Sequence, residues 1–265
     1  MAAFVALALA TAAAFFVVQH LKVATPLING FPFPFPRTIN PVAGGVCPLR
    51  NGKGEIEPVS FTRMKIAFYL QNEDDDVNVW IVDSAGRKVR QIGDAVPMRT
   101  YHRHSFYWDG RLADGSVAPD GRYDILVQLV HQQATFPITN QSTGAAESVT
   151  VDTAVPHPVV TGVSPATLAG GASASVTIGY AGVVRGTRQL QILIYRLRAG
   201  RPPALVKAFT ARPRRSTSIW NATIGGRLAP RGSYQFAVRA ISAACTAGSS
   251  PIGAAAAPRA VVTIG

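Results

Sequence analysis

The 265-residue chain is 48% apolar but only 15% charged, against roughly 25% charged residues in an ordinary soluble domain. That balance excludes long charged amphipathic helices and a solvated disordered chain. The abundance of Ala, Val, Gly, Pro, Ser and Thr suits short strands joined by tight turns. The net charge of +12 is unevenly placed: up to His157, 13 Lys/Arg face 14 Asp/Glu, whereas residues 158–265 hold 13 Lys/Arg and no carboxylate. A half with no acidic group attracts anionic partners, or is simply a solvated basic surface.

Ala2 to Val18 is an uninterrupted apolar run apart from one Thr, followed by Gln19-His20-Leu21-Lys22. As a helix it spans about 25 Å, and Leu21 and Val23 with a snorkelling Lys22 bring it near the ~30 Å of a bilayer core. Residues 1–23 are therefore expected to form a signal-anchor helix that tethers the chain to a membrane. A cleaved signal peptide and a buried core helix are the competing readings. Residues 24–46 contain Phe31-Pro32-Phe33-Pro34-Phe35-Pro36; alternate prolines forbid helix and predict a semi-rigid extended stalk.

The remaining sequence repeats itself. Trp108-Asp109-Gly110, ending at Pro119-Asp-Gly121-Arg-Tyr123, returns as Trp220-Asn-Ala, ending at Pro230-Arg-Gly232-Ser-Tyr234. A period of about 110 residues is the size of an immunoglobulin-like sandwich. Met64, Ile66, Phe68 and Leu70 alternate as on a half-buried strand, as do Val77, Val79 and Ile81, and Tyr123, Ile125, Val127 and Leu129. In the second unit Val176, Ile178 and Tyr180, then Leu190, Ile192 and Ile194, then Tyr234, Phe236 and Val238 do the same. With turn signals between them, the prediction is all-β: two tandem immunoglobulin-like β-sandwiches, at 47–157 and at 158–265, after an N-terminal transmembrane helix. The Trp and Tyr that bracket each repeated loop are expected to cap its core.

Searching for chemistry is largely negative. No nucleophile elbow, phosphate loop, dinucleotide fingerprint or zinc-protease motif occurs. His102 and His104 share a strand face without an obvious third ligand. Glu73-Asp74-Asp75-Asp76 lacks the alternating oxygens of a calcium loop and reads as a solvated hairpin tip between strands 64–70 and 77–83. Asp109, Asp114 and Asp120 each adjoin a glycine, so turn formation accounts for them. The expectation is therefore no enzyme, no cofactor and no metal. Cys47 and Cys245 lack zinc spacing; a bridge between them would have to join the start of the first domain to the end of the second, in an oxidising compartment.

The basic second domain holds the one functional hint. Arg196, Arg198 and Arg201 precede one turn, and Arg212, Arg214 and Arg215 lie in the next connection, so the groups fall at opposite or adjacent ends of a hairpin. They are candidates for binding teichoic acids, acidic glycans or lipid headgroups. Nucleic acid is disfavoured, because no aromatic residues interleave with the arginines to stack bases.

Asn78-Val-Trp-Ile-Val-Asp-Ser-Ala-Gly-Arg-Lys-Val-Arg90, Trp108-Asp-Gly-Arg and Pro119-Asp-Gly-Arg-Tyr-Asp together resemble the immunoglobulin-like domain of the flagellar hook-capping protein FlgD. The resemblance covers residues 60–158 well and 159–265 only through the Trp-to-Tyr segment. It implies an exported β-sandwich, with residues 24–265 outside the membrane. The layout also resembles anchored surface proteins of high-GC Gram-positive bacteria. The portion that binds FlgD to the hook has no counterpart, which counts against a hook-capping role. The expected function is thus a non-catalytic structural or adhesive protein of the cell envelope. Its partners would be the membrane and an anionic wall polymer or another envelope protein. An accessory subunit of a cell-wall enzyme is the alternative.

Overall fold

The computed structural model describes residues 11, 27–29, 33–51, 53–140, 142–169, 174–183, 186–252 and 258–265. The expected signal-anchor helix at 1–23 lies, apart from Thr11, outside the described residues. Among those described, no helix is long and apolar enough to cross a membrane.

The first unit is built from β1 (Ile28–Asn29), β2 (Thr38–Ile39), β3 (Val46–Arg50), β4 (Ile56–Ser60), β5 (Met64–Leu70), β6 (Asp75–Val82), β7 (Lys88–Met98), β8 (His104–Trp108), β9 (Gly121–Leu129), β10 (Ala134–Pro137) and β11 (Ser148–Val151). The second comprises β12 (Val159–Ser164), β13 (Thr167–Leu168), β14 (Val176–Ala181), β15 (Gln189–Arg198), β16 (Arg201–Ala211), β17 (Thr217–Trp220), β18 (Thr223–Ile224), β19 (Arg227–Leu228), β20 (Gly232–Ile241), β21 (Ala247–Ser249) and β22 (Val261–Ile264).

The two units share one topology. In the first, a three-stranded sheet of order β1-β5-β8 faces a larger sheet of order β2-β11-β9-β6-β7, with β10 also paired to β9. In the second the orders are β12-β14-β17 and β13-β22-β20-β15-β16, with β21 on β20. Each begins with a strand that crosses between sheets through a cis X-Pro bond, Phe35–Pro36 or Ser164–Pro165, and then pairs in parallel with the last strand of its unit. The alternating residues fill the space between sheets. Met64, Ile66, Phe68, Val77, Val79, Ile81, Ile125 and Val127 bury completely in the first core; Val176, Ile178, Leu190, Ile192, Ile194, Phe236 and Val238 do so in the second. This is the period-two logic of a strand with one wet face.

Two details differ from expectation. Strands 64–70 and 75–82 do not form a hairpin: β5 and β6 lie in different sheets, so Gln71–Asp74 crosses between layers while Asp75 and Asp76 open β6. These acids therefore tie loops together instead of facing only water. Asp74 Oδ1 accepts from the Thr100 amide (2.7 Å) and hydroxyl (2.6 Å). Buried Asp75 accepts from the amides of His131 (2.8 Å) and Gln132 (3.1 Å). The Thr100 hydrogen bonds hold the Asp74 carboxyl below its ordinary value, so what they contribute is present above the unfolded pKa and lost as pH falls through the folded one.

The second difference concerns the expected stalk. Ile28–Asn29 and Thr38–Ile39 are strands of the first sandwich, and Phe35 forms a β-bridge to Lys65. Proline cannot donate to a ladder, but alternate prolines leave the residue between them free to do so. Phe35 N donates to Lys65 O (2.9 Å), and Lys65 N donates back to Phe35 O (2.8 Å). The prolines then point inward: Pro34 and Pro36 are buried, while Phe33 and Phe35 are 46% and 42% exposed.

Between β2 and β5 the first unit carries an extra hairpin, β3–β4. It reaches the second unit, where Cys47 is disulfide-bonded to Cys245 across a Cα–Cα distance of 6.0 Å. Phe61, Leu49, Val59 and Ile241 pack around the bridge as a small core of its own. Buried Asn40 adds a polar clasp. Its Oδ1 accepts from the amides of Val42 (3.0 Å) and Ala43 (2.8 Å), while its Nδ2 donates to Thr246 Oγ1 (3.2 Å). Thr246 Oγ1 in turn donates to Ala43 O (3.2 Å). The approach needs glycine, because a Cβ on Gly45 would collide with the Cys245 carbonyl and one on Gly44 with the carbonyls of Asn40 and Phe61.

Candidate functional site

The repeated loops are built alike. Trp108 ends β8 fully buried and donates from Nε1 to Arg111 O (2.8 Å); Trp220 ends β17 and donates to Thr223 O (3.0 Å). Tyr123 OH donates to Pro119 O (2.8 Å) and Tyr234 OH to Pro230 O (2.6 Å), each closing its loop four residues back. The Trp108–Tyr123 rings lie 5.1 Å apart and the Trp220–Tyr234 rings 5.6 Å. Burial pushes both phenols above their ordinary pKa. Asp109 and Asp114 accept from Arg111 N and Ser116 N inside the first loop, and Asp120 accepts from Thr153 N and Oγ1 in the segment leading to the second unit. These loops are structural plugs. Gly110 has φ +73°, and a Cβ there would meet Pro41 Cγ at 2.7 Å. Gly110→Ala is expected to destabilise the first sandwich by about 1–3 kcal/mol, read as a lower midpoint in urea unfolding.

The candidate arginines are not brought together. Arg196, Arg198 and Arg201 sit at the β15–β16 turn, where Arg198 pairs with Arg201. Arg212, Arg214 and Arg215 follow the far end of β16, roughly 35 Å away at strand rise. Arg196 Nη2 is engaged by the Arg231 carbonyl (3.0 Å). The second group instead lines a cleft of about 840 Å³ with Val183, Gly186 and Thr187. Gly232, which ends the second repeated loop, lies beside the Arg196 guanidinium.

A different site lies where the units meet, and the sequence reading missed it. A groove of about 540 Å³ is lined by Phe33, Phe35 and Pro36 from the crossing segment, by Leu49 and Phe61 beside the hairpin, and by Gly186, Arg188 and Ala243 from the second unit. Arg37 forms one rim, paired with buried Glu147 at 3.0 Å. Arg188 lies over the Phe61 ring at 5.5 Å. On the other side of the same two phenylalanines a second groove, of about 450 Å³, is lined by Arg50, Asn51, Lys65, Ala67 and Arg103. The signal in the sequence was the Phe-Pro alternation, which reads as a spacer until its register against β5 is known. Among the described residues no cluster of His, Cys, Asp or Glu could hold a metal ion; exposed His102 and His104 meet no third ligand.

The stretch from β5 through β9, with the loop plugged by Trp108 and closed by Tyr123, lies within the residues matched by a family model, FlgD Ig-like domain, at 58–133. Residues 58–133 carry a FlgD-like domain. The chain is 36% identical over 94 residues to the Basal-body rod modification protein FlgD of Escherichia coli, covering 33% of this chain and 40% of that one. It is 32% identical over 110 residues to the protein of the same name from Salmonella typhimurium, covering 38% and 46%. The chain thus spans less than half the length of these curated relatives. Among solved structures, dimeric latent PorU from Porphyromonas gingivalis aligns over 86% of this chain and 18% of its own, at 12% identity and a TM-score of 0.29. That likeness is too slight to carry an argument.

The FlgD-like domain corrects the functional expectation. The expectation of an envelope adhesin for anionic wall polymers, or of an accessory subunit of a cell-wall enzyme, ranks a flagellar hook-assembly role below both. The curated relatives matched through this region are basal-body rod modification proteins, which overturns the ranking of a hook-assembly role below those readings. The earlier reading weighed surface charge, which governs the strength of association but does not identify a partner.

Proposed function

We propose that this chain is a non-catalytic, extracytoplasmic assembly module that serves flagellar rod or hook construction through its FlgD-like domain. The observation that carries this reading is the match of residues 58–133 together with 36% identity to a rod modification protein. The Cys47–Cys245 bridge supports the compartment, since such bonds persist where thiols are kept oxidised. The apolar segment 2–18 supports export, as anchor or as leader.

An in-frame deletion in the source organism tests it. Electron micrographs should show missing or misassembled hooks, restored by the full chain supplied in trans. Normal hooks and normal swimming in the deletion strain would sink the reading.

A further inference from the structure

The grooves on either side of Phe33 and Phe35 carry an inference that does not depend on the flagellar reading. A segment that buries its prolines and exposes its phenylalanines inverts the usual preference, and exposed aromatic surface beside a groove marks a docking site. Cations surround it. Among the described residues, Arg50, Lys65, Arg103 and Arg188 line the two grooves and make no ion pair, and no carboxylate lines either groove. Beyond Gly186, which borders both clefts of the second unit, Arg212, Arg214 and Arg215 extend the positive surface.

The chain cannot supply the matching anions from elsewhere. All 14 Asp and Glu lie among the described residues, so the other segments bring none. The ridge borders two grooves, one reaching the second unit at Gly186, Arg188 and Ala243 and the other lined by the first unit alone. An extended polypeptide fits: side chains alternate along it, so one set can lie on the Phe ridge while the other reaches the rims.

We propose that the Phe33/Phe35 ridge and its flanking grooves bind an extended segment of a partner protein in which apolar and acidic residues alternate.

The test is fluorescence anisotropy with the full oxidised chain and a short labelled peptide alternating Glu with Leu or Phe. Saturable binding is expected, weakened about tenfold or more by Phe33→Ser with Phe35→Ser, and likewise by Arg50→Glu with Arg103→Glu. The peptide with Lys in place of Glu should not bind. To guard against a folding defect, titration of the unaltered chain should shift the NMR signals of Phe33, Phe35 and Leu49. Equal binding of the Lys peptide, unchanged affinity in both variants, or shifts confined to other residues would overturn the proposal. So would a phenylalanine-dependent attachment to anionic phospholipid vesicles, or a phenylalanine-dependent dimer in sedimentation, where the peptide itself does not bind. A hook phenotype without peptide binding would leave the flagellar reading standing and remove this one.

Discussion

Cys47→Ser combined with Cys245→Ser is expected to split one unfolding transition into two. In the oxidised chain the bridge closes a loop across 198 residues of sequence, so neither sandwich unfolds without dragging on the other. In the chain-entropy view a loop of that size contributes about 5 kcal/mol. The hairpin carrying Cys47 also holds Phe61, Leu49 and Val59 against Ile241, a patch too small to keep two domains docked by itself. Differential scanning calorimetry checks the expectation: one cooperative endotherm for the oxidised chain, two separable ones for the double variant, and the same two after reduction of the parent. A single unchanged endotherm in the variant would show that the Asn40–Thr246 clasp and packing suffice. The orientation of the units, and with it the groove between them, is expected to loosen in parallel.

In the chain freed of its bridge by Cys47→Ser with Cys245→Ser, Trp108→Ala is expected to unfold the first sandwich alone, and Trp220→Ala the second alone. Each indole is 1% exposed and fills the end of its core. Removing it costs about 3–5 kcal/mol in lost burial and residual cavity. Trp108→Ala also takes the indole donor from the Arg111 carbonyl, whereas the Thr223 carbonyl keeps Lys207 Nζ at 2.7 Å after Trp220→Ala. A small sandwich holds only about 5–15 kcal/mol in total, so each variant sits near the edge of folding at room temperature. Urea unfolding followed by the amide NMR signals of β6 and β15 separates the units. Equal loss in both units from either substitution would mean that the two cores unfold as one.

Much of this architecture was legible before any coordinates. The alternation of Met64, Ile66, Phe68 and Leu70 marked a strand with matching bounds, because a side-chain period of two follows from the pleat alone. The Trp-to-Tyr repeat announced two copies of one topology, and the pairing of each Tyr hydroxyl with a proline carbonyl is a local contact within four residues. The Phe-Pro stretch was misread for a definite reason. Alternating prolines are compatible with a free polyproline helix and with an edge segment, and only the partner strand distinguishes them. The Glu73–Asp76 cluster was misread similarly: whether two successive strands pair or cross between sheets is not written in either strand.

The site followed the same division. The sequence leaves open whether the two arginine groups fall at opposite or adjacent ends of their hairpin, and an eleven-residue strand sends them to opposite ends. The groove residues, by contrast, come from positions as distant as Phe33 and Ala243, and no local pattern links them. Composition, alternation and repetition by themselves determined an all-β chain of two like units with capped cores, since these depend on neighbours a few residues apart. The joining of Cys47 to Cys245, the inward turn of Pro34 and Pro36, and the aromatic groove between the sandwiches were decided only by tertiary structure. Each depends on which distant surfaces meet, and that is set by the sum of many weak long-range contacts.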